Sequence, residues 1–267
     1  MNKRIGVIGC GWLGFPLAIS LINQGYKVNG STTSVEKIKL LDKEGILPFL
    51  LSLHEDGIKG DISNFLKSIE LLIVNIPPKL RAGNKENYVK KIQLLHSEIK
   101  KHTIKHVIFV SSTSIYGDLE GEVTEETIPK PNTESGKQLL AAEKIFKNDS
   151  KVETTIIRFG GLIGPNRHPI TMLSRRQELP NGNHPINLIH LNDCIRILTA
   201  VLQNSWWNEV FNGVYPEHPS KEKYYTTEAK KRGLQIPDYK TNNPKKGKKV
   251  LSKSLLNVKK FKFTTSL

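Results

Sequence analysis

Short apolar runs alternate along this chain with longer segments in which apolar residues recur at helical spacing. The runs predict β-strands at 4–8, 27–31, 47–51, 71–76, 106–111 and 154–159, and the longer segments predict helices at 14–24, 35–44, 85–102 and 133–148. Regular alternation of strand and helix indicates βαβ units around a parallel sheet. The runs "LLIVNI" and "HVIFVSS" are apolar throughout, as expected for strands covered by helices on both faces.

The alternation loosens after about residue 160, where "GPNRHP", "LPNGNHP" and "YPEHPS" predict turns. We therefore expect an α/β fold, a Rossmann-type doubly wound parallel sheet with a smaller C-terminal substrate lobe. The Rossmann-type domain takes residues 1–160. The substrate-binding lobe takes residues 161–267 and is interleaved with the first domain rather than independent of it.

Composition and cysteine content limit the class of protein. Hydrophobic residues make up 37% and charged residues 24% of the 267 positions, values typical of a globular protein. The apolar run that follows Lys3 and Arg4 has the length of a signal peptide or a short membrane span, but glycines and a proline interrupt it, so we expect neither. The two cysteines, Cys10 and Cys194, are too few for a disulfide framework, which favours a cytoplasmic setting.

The net charge of +15 is concentrated at one end, because residues 221–267 alone carry +11. Such a surplus attracts phosphate groups, on nucleic acid or on a small anionic substrate; alternatively, it is a solvated basic face. No nucleic-acid motif accompanies it, so we expect a small-molecule substrate and no nucleic acid, with the basic surplus acting on small anions or on nothing. The His, Cys, Asp and Glu residues lack metal-ligand spacing, and we expect no metal.

The chain's first chemical motif is the GxGxxG run Gly9-Cys10-Gly11-Trp12-Leu13-Gly14. It follows the first predicted strand and opens the first predicted helix. In that position one glycine makes a tight turn, one lets the backbone approach a pyrophosphate, and one lets the helix pack on the strand. The motif therefore predicts a dinucleotide cofactor with its phosphates over the helix N-terminus.

The end of the second predicted strand bears on the choice between NAD and NADP. NAD-binding proteins usually place a carboxylate there, beside the ribose hydroxyls. No Asp or Glu occurs between Gly14 and Glu36. The groups that could receive a 2′-phosphate instead are those of Ser31, Thr32, Thr33 and Lys37. NADP is therefore slightly favoured over NAD, although no arginine stands at the strand end.

Over nearly its whole length the chain resembles the extended short-chain dehydrogenases/reductases, which include the NAD-dependent epimerases and dehydratases. The segments that carry the resemblance are "GVIGCGWLG", "IVNIPP", "FVSSTSIYGD", "AAEKIF", "IIRFGGLIGPNRHP" and "INLIHLNDCIRIL". The combination of GWLG, SSTSIYGD and GPNRHP resembles the atypical YeeZ-like bacterial group. The resemblance implies that Asn75 and Pro77, in "IVNIPP", contribute to the cofactor site.

Typical members of this superfamily carry a catalytic Tyr and Lys four residues apart on the helix after the fifth strand, and a Glu four residues later. Alignment on Glu143 places Ser135 at the Tyr position and Leu139 at the Lys position. Lys137 lies two residues from the Lys position, about 200° around the helix, and should point away from the cofactor. A serine hydroxyl without a neighbouring cation is a poor proton donor, so any turnover requires another donor.

The resemblance suggests three catalytic candidates, each with a structural alternative. Ser112 matches the family's substrate-orienting serine, or it caps a turn at the strand end; Ser114 is a weaker candidate. Tyr116 offers a phenol, although this Tyr mostly packs structurally in the family. His168, together with Arg167, forms a cationic pair suited to an anionic substrate, or it belongs to a surface loop.

Two further residues, His190 and Asp193 in "LIHLNDC", resemble a family element that ties the lobes together, so we expect a structural role for them. Three functions then compete. The first is an NAD(P)-dependent oxidoreductase or epimerase-like enzyme acting on a sugar-like or nucleotide-linked small molecule. The second is a non-catalytic NAD(P)-binding sensor or regulator, and the third is a nucleic-acid protein. The absent dyad favours the sensor, whereas the Ser112 segment and the second lobe favour the enzyme.

Overall fold

The structure, a computed structural model, describes residues 3–78, 80, 86–240 and 245–267. Its strands are β1 Arg4–Ile8, β2 Lys27–Thr32, β3 Leu47–Leu50, β4 Ser52–Leu53, β5 Ile58–Lys59, β6 Leu71–Val74, β7 His106–Ser112, β8 Gly121–Val123, β9 Glu153–Phe159, β10 Gly161–Ile163, β11 Leu188–His190, β12 Val210–Gly213 and β13 Lys248–Val250. Its α-helices are α1 Gly14–Asn23, α2 Glu36–Lys43, α3 Ile62–Leu66, α4 Tyr88–Ile99, α5 Glu134–Lys147, α6 Ile170–Leu173, α7 Leu191–Gln203 and α8 Lys221–Lys231.

One sheet organises the molecule. Its strand order is β12-β9-β7-β6-β1-β2-β3, and every neighbouring pair is parallel. The six predicted strands all belong to it, with ends within two residues of their predicted positions. The chain runs from β1 outward in both directions, so the order reverses between β1 and β6. In such sheets ligands bind outside the carboxyl ends of the strands at the point of reversal.

Helices cover both faces of the sheet, as its apolar strands predicted. On one face α3, α4 and α5 pack against side chains such as Phe109, whose ring lies 5.2 Å from that of Phe146. On the other face α1, α2 and α7 pack against Ile108 and its neighbours. Successive residues of β7 therefore belong to opposite cores, and the Rossmann-type fold is confirmed.

The predicted helices are confirmed, and some of their ends are set by capping side chains. Helix α5 begins after Thr133, whose hydroxyl accepts the Gly136 N–H at 3.1 Å. Helix α4 begins after Asn87 and is shorter than the predicted 85–102; residue 85 lies outside the described residues. Asn87 Oδ1 accepts the Lys90 N–H at 3.0 Å. Capping side chains of this kind satisfy N–H groups that a helix start leaves unpaired.

The second lobe is not one continuous stretch of chain after residue 161. Its own small core contains Ile163, Ile186, Leu188, Tyr224 and Tyr225. Between these segments the chain returns to the main sheet, because α7 packs on α1 and β12 pairs with β9. After the lobe, β13 pairs with β8 of the first domain.

Candidate functional site

The glycine loop joins β1 to α1 at the carboxyl edge of the sheet. Gly9 has a φ of +101°, and a Cβ there would lie 2.5 Å from the carbonyl oxygen of Asn75. A Cβ on Gly14 would lie 2.2 Å from the carbonyl oxygen of Gly9. Both positions therefore need glycine because backbone approaches backbone.

Gly11 is glycine for a different reason. A Cβ there would meet no atom within 4 Å, and the residue is exposed. Beside it, the N–H groups of Trp12 and Leu13 have no acceptor among the described residues, and α1 begins without a capping side chain. Unpaired N–H groups at a helix start attract anions. The loop thus fits a cofactor pyrophosphate, lying where a side chain on residue 11 would project.

The end of β2 offers fewer free hydroxyls than its sequence predicted. Ser31 is 3% exposed, and its Oγ accepts the Gly9 N–H at 2.9 Å. Thr32 is also buried, and its Oγ1 accepts the Ser34 N–H at 3.1 Å. These two hydroxyls hold the glycine loop and the strand end in place, which corrects the expectation that they face a 2′-phosphate.

Three exposed groups remain near the end of β2. Thr33 and Lys37, the other two residues predicted to receive a 2′-phosphate, are both exposed. Glu36, in the first turn of α2, accepts a hydrogen bond from the Ser34 hydroxyl, which lowers the pKa of its carboxyl. A carboxylate is therefore present beside this strand end, supplied by α2 rather than by β2.

Asn75 connects β6 to the glycine loop. Its Nδ2 donates to the carbonyl oxygen of Gly9 at 3.0 Å. Pro77 is exposed on the same loop, and the buried Tyr88 holds that loop by donating its hydroxyl to the Ile76 carbonyl at 2.8 Å. The Asn75 side chain thus holds the backbone of the glycine loop at Gly9, while Pro77 is exposed to solvent.

Ser112 ends β7 at the same sheet edge. It is half-buried, and its Oγ accepts the Ser114 N–H at 3.2 Å, so it caps the 3₁₀ turn Thr113–Tyr116. A hydroxyl that accepts one hydrogen bond still has its own proton to donate. Ser114 is half-buried as well. Ser112 therefore caps the turn. Because its hydroxyl acts there as an acceptor, the hydroxyl proton remains available to a substrate oxygen.

Tyr116 is buried in the protein interior. Its hydroxyl accepts from Arg158 Nη1 at 2.9 Å and lies 2.9 Å from Asn212 Oδ1 and 3.0 Å from the Thr124 carbonyl oxygen. Burial raises the pKa of the phenol, although the charge of Arg158 partly opposes this. With no exposure and a full set of partners, Tyr116 is structural, which corrects the expectation of a catalytic phenol.

Glu143 belongs to the same buried network. Its carboxylate accepts from Arg158 Nη2 at 2.8 Å and Nε at 3.1 Å, and from Ser111 Oγ at 2.6 Å. Burial disfavours the Arg158 charge, but the hydrogen bonds and charge of Glu143 outweigh that effect and raise the pKa of the guanidinium. Three segments that carry the family resemblance therefore meet here as a scaffold beneath the Ser112 turn.

Helix α5 carries no proton-transfer pair at the aligned positions. Ser135 is half-buried, and Leu139 is 5% exposed and packs in the core with Ala142 and Phe146. Lys137 is exposed, as helical geometry predicted. The helix thus provides one short hydroxyl and no cation on the side that packs toward the sheet.

The structure separates the expected pair of Arg167 and His168. His168 is buried in the second lobe, where Nε2 lies 3.0 Å from the Tyr224 hydroxyl and Nδ1 accepts the Ile170 N–H at 3.2 Å. Burial lowers its pKa, and the charge of Arg232 adds to that effect. This placement corrects the expectation of a catalytic His168. Arg167, in contrast, is exposed.

His190 and Asp193 have the structural roles expected of them. His190 Nδ1 accepts the Asn192 N–H at 3.2 Å at the start of α7. Asp193 is fully buried, and Oδ1 accepts from Arg196 Nη1 at 2.7 Å and from the Thr264 N–H at 3.1 Å. Asp193 therefore ties the C-terminal segment to α7.

Sequence comparison identifies the family. The family model described as "NAD dependent epimerase/dehydratase family" matches residues 82–212, and that of the "NAD binding domain of 6-phosphogluconate dehydrogenase" matches residues 4–127. Protein YeeZ of Escherichia coli K12 is 33% identical over 241 residues, which are 90% of this chain and 88% of YeeZ. The chain belongs to the YeeZ-like group of atypical short-chain dehydrogenases/reductases. It is thus an NAD-binding protein of the epimerase/dehydratase family.

Solved structures show the same fold at lower identity. UDP-glucuronic acid 4-epimerase from Bacillus cereus, in complex with NAD, is similar with a TM-score of 0.80 and 20% identity over 99% of this chain and 92% of that one. MoeE5 in complex with UDP-glucuronic acid and NAD is similar with a TM-score of 0.80 and 19% identity over 99% and 95%. At these identities the likeness shows the fold alone.

Two contacts of this YeeZ-like chain were not predicted from its sequence. Trp12 Nε1 donates to the Pro165 carbonyl at 3.1 Å and so links the glycine loop to the second lobe. Lys248 Nζ donates to the carbonyl oxygens of Gly117 at 2.5 Å and Thr113 at 3.3 Å. Burial lowers the pKa of Lys248. A cation from the basic C-terminal region therefore supports the turn that follows Ser112, and no local pattern marked it.

Several other cations of the C-terminal region meet carboxylates from earlier in the chain: Lys249 with Glu122 at 3.3 Å, Lys253 with Glu126 at 3.2 Å and Lys259 with Glu209 at 2.5 Å.

Within the described ranges, no three His, Cys, Asp or Glu side chains are grouped as metal ligands. No helix in the same ranges is both long and apolar enough to cross a membrane.

Proposed function

We propose that this chain is an NAD(P)-dependent oxidoreductase or epimerase-like enzyme that acts on a sugar-like or nucleotide-linked small molecule. The observation that carries the proposal is Ser112, half-buried at the sheet edge that also holds the glycine cradle, with its proton free to donate. Support for the substrate class comes from similar proteins, whose names include UDP-glucuronic acid 4-epimerase and UDP-glucose epimerase.

The chemistry divides between cofactor and protein. A bound nicotinamide dinucleotide supplies hydride transfer. The glycine loop holds its pyrophosphate, and Ser112 donates a hydrogen bond that orients a substrate oxygen. Neither Ser135 nor Leu139 reproduces the Tyr/Lys pair, so the proton moves through Ser112, a bound water or the substrate itself. Loss of a positioned acid/base costs about 10²- to 10⁴-fold in rate, which predicts slow turnover.

A second candidate function is a non-catalytic NAD(P)-binding sensor or regulator. The specific observation in its favour is the environment of the remaining phenols near the site. Tyr116 and Tyr88 are buried, and burial raises the pKa of both. A dinucleotide cradle whose nearby phenols Tyr116 and Tyr88 are both buried suits binding better than turnover.

The preference for NADP over NAD is also a proposal. It rests on Thr33 and Lys37, which are exposed near the end of β2, since Ser31 and Thr32 are engaged in the fold. Glu36 acts in the opposite direction, because its carboxylate repels a 2′-phosphate and accepts hydrogen bonds from ribose hydroxyls. Because the two effects oppose each other, the proposed preference for NADP over NAD is small.

The partner we propose is a small anionic molecule rather than nucleic acid. Several C-terminal lysines already meet carboxylates of the same chain, which reduces the charge left for a polyanion. We also propose a cytoplasmic setting, because Cys10 and Cys194 are both unpaired and buried thiols.

Turnover can be tested by following cofactor absorbance while nucleotide sugars and simple carbonyl compounds are supplied in turn. The enzyme proposal expects slow, cofactor-dependent conversion that Ser112→Ala reduces and Ser114→Ala largely retains. Cofactor binding without conversion of any substrate would instead support the sensor. Equal rates in wild type and Ser112→Ala would remove the serine from the mechanism.

A further inference from the structure

One hairpin of the second lobe reaches the glycine loop. Gly164 and Arg167 pair across it, with the Gly164 N–H 2.9 Å from the Arg167 carbonyl and the Arg167 N–H 3.0 Å from the Gly164 carbonyl. Pro165 and Asn166 form the two-residue tip, and Asn166 has a φ of +56°. Proline followed by a residue at positive φ is the pattern of a type II turn. The hairpin therefore holds the backbone of Arg167 in a defined position.

Trp12 is where this hairpin meets the glycine loop. Its indole N–H donates to the Pro165 carbonyl at 3.1 Å, and a Cβ on Gly164 would lie 3.1 Å from its ring. The Arg167 guanidinium lies over the same ring, 4.9 Å from its centroid. A guanidinium stacked on an aromatic face keeps N–H donors free at its edge. The cation is thus held against the residue that directly follows Gly11.

Arg167 forms no ion pair in the described part of the chain. Its guanidinium lies over the Trp12 ring. The glycine loop, residues 9–14, contains neither Lys nor Arg, so its attraction for phosphate rests on backbone N–H groups alone. A pyrophosphate carries two negative charges. An arginine without a counter-ion, held beside a loop that offers only N–H groups, can add a charge-assisted hydrogen bond to such a ligand.

We propose that Arg167 binds the pyrophosphate of the dinucleotide and so closes the cradle from the second lobe. The proposal rests on dinucleotide binding at the glycine loop, which is part of the proposed function. It assigns the arginine to the cofactor, whereas the sequence placed it with the substrate. Trp12 then has two roles, a backbone donor on one side and a platform for the guanidinium on the other.

Calorimetry with two ligands tests this assignment. ADP-ribose contains the pyrophosphate, and AMP has a single phosphate. Arg167→Gln should weaken ADP-ribose binding about tenfold, the effect of losing a charge-assisted hydrogen bond, and should weaken AMP binding less. It should also make the dependence of ADP-ribose affinity on salt less steep, since one cation fewer faces the ligand. Arg176→Gln, at an exposed arginine of the same lobe, is the matched control and should leave ADP-ribose affinity within twofold or so.

Equal ADP-ribose affinities in Arg167→Gln and Arg176→Gln would overturn the proposal, as would a lower unfolding temperature in Arg167→Gln with unchanged affinity and salt dependence. The latter result would mean that Arg167 only holds Trp12 in place. If wild type binds ADP-ribose and Arg167→Gln binds it equally well, this inference alone fails. If wild type binds neither ADP-ribose nor NAD, the proposed function fails with it.

Discussion

Removal of the Glu143 carboxylate should strongly destabilise the protein. Glu143 is 2% exposed and Arg158 is 6% exposed, and the carboxylate accepts two hydrogen bonds from the guanidinium and one from Ser111. Glu143→Ala leaves a buried cation whose remaining side-chain partner is the Tyr116 hydroxyl. Breaking such a pair from one side costs about 3–5 kcal/mol. In a chain of this size that lowers the unfolding temperature by roughly 5–9 °C.

Urea and thermal unfolding measure this effect, and the same helix offers a matched control. Glu134 is exposed and accepts a hydrogen bond from Gln138 at 2.8 Å, so Glu134→Ala should cost no more than about 1 kcal/mol. The double change of Glu143→Leu with Arg158→Met should recover most of the stability, because an apolar pair leaves no buried charge. If Glu143→Ala loses no more stability than Glu134→Ala, the account of this network is wrong.

Three further predictions follow from the site and its surroundings. Ser135→Ala should retain most of any turnover while Ser112→Ala loses more; a loss beyond about 10²-fold in Ser135→Ala, with cofactor affinity unchanged, would assign the proton chemistry to Ser135. Glu36→Gln should raise NADP affinity relative to NAD in calorimetry, and an unchanged ratio would remove the carboxylate from the ribose site. Folding stability should fall as pH drops below about 6.5, because burial lowers the pKa of His168 in the folded state, so the unfolded chain binds more protons in that window. His168→Gln should flatten the pH dependence measured by urea unfolding, and an equal slope in both proteins would contradict this reasoning.

The sheet could be predicted from sequence because its strands are apolar on both faces and its helices are amphipathic. The glycine motif could be placed for the same reason, since it lies between a recognisable strand and a recognisable helix. Gly9 and Gly14 turned out to serve backbone packing, and Gly11 alone faces open space. Sequence spacing identifies such a motif, but only the contacts of each position separate these roles.

Residues whose roles depend on distant partners could not be assigned this way. Tyr116 and His168 looked like site residues because both lie beside family motifs. Tyr116 forms a hydrogen bond with Asn212, which is 96 positions away, and His168 forms one with Tyr224, which is 56 positions away. Lys248 reaches the Thr113 carbonyl from 135 positions away. No local pattern encodes contacts of that range, since they follow from the packing of whole elements.

The glycine cradle is the centre of this account, and calorimetry with NAD and NADP on three proteins tests it most directly. A Cβ at residue 11 meets no atom within 4 Å, so Gly11→Val should fold normally, and its side chain should exclude both dinucleotides. Gly57→Val adds the same side chain at another open glycine and should bind as wild type does. We predict binding to wild type and to Gly57→Val, and none to Gly11→Val. Absence of binding to folded wild type at millimolar dinucleotide, or equal binding to Gly11→Val, would contradict the claim that this loop holds the cofactor.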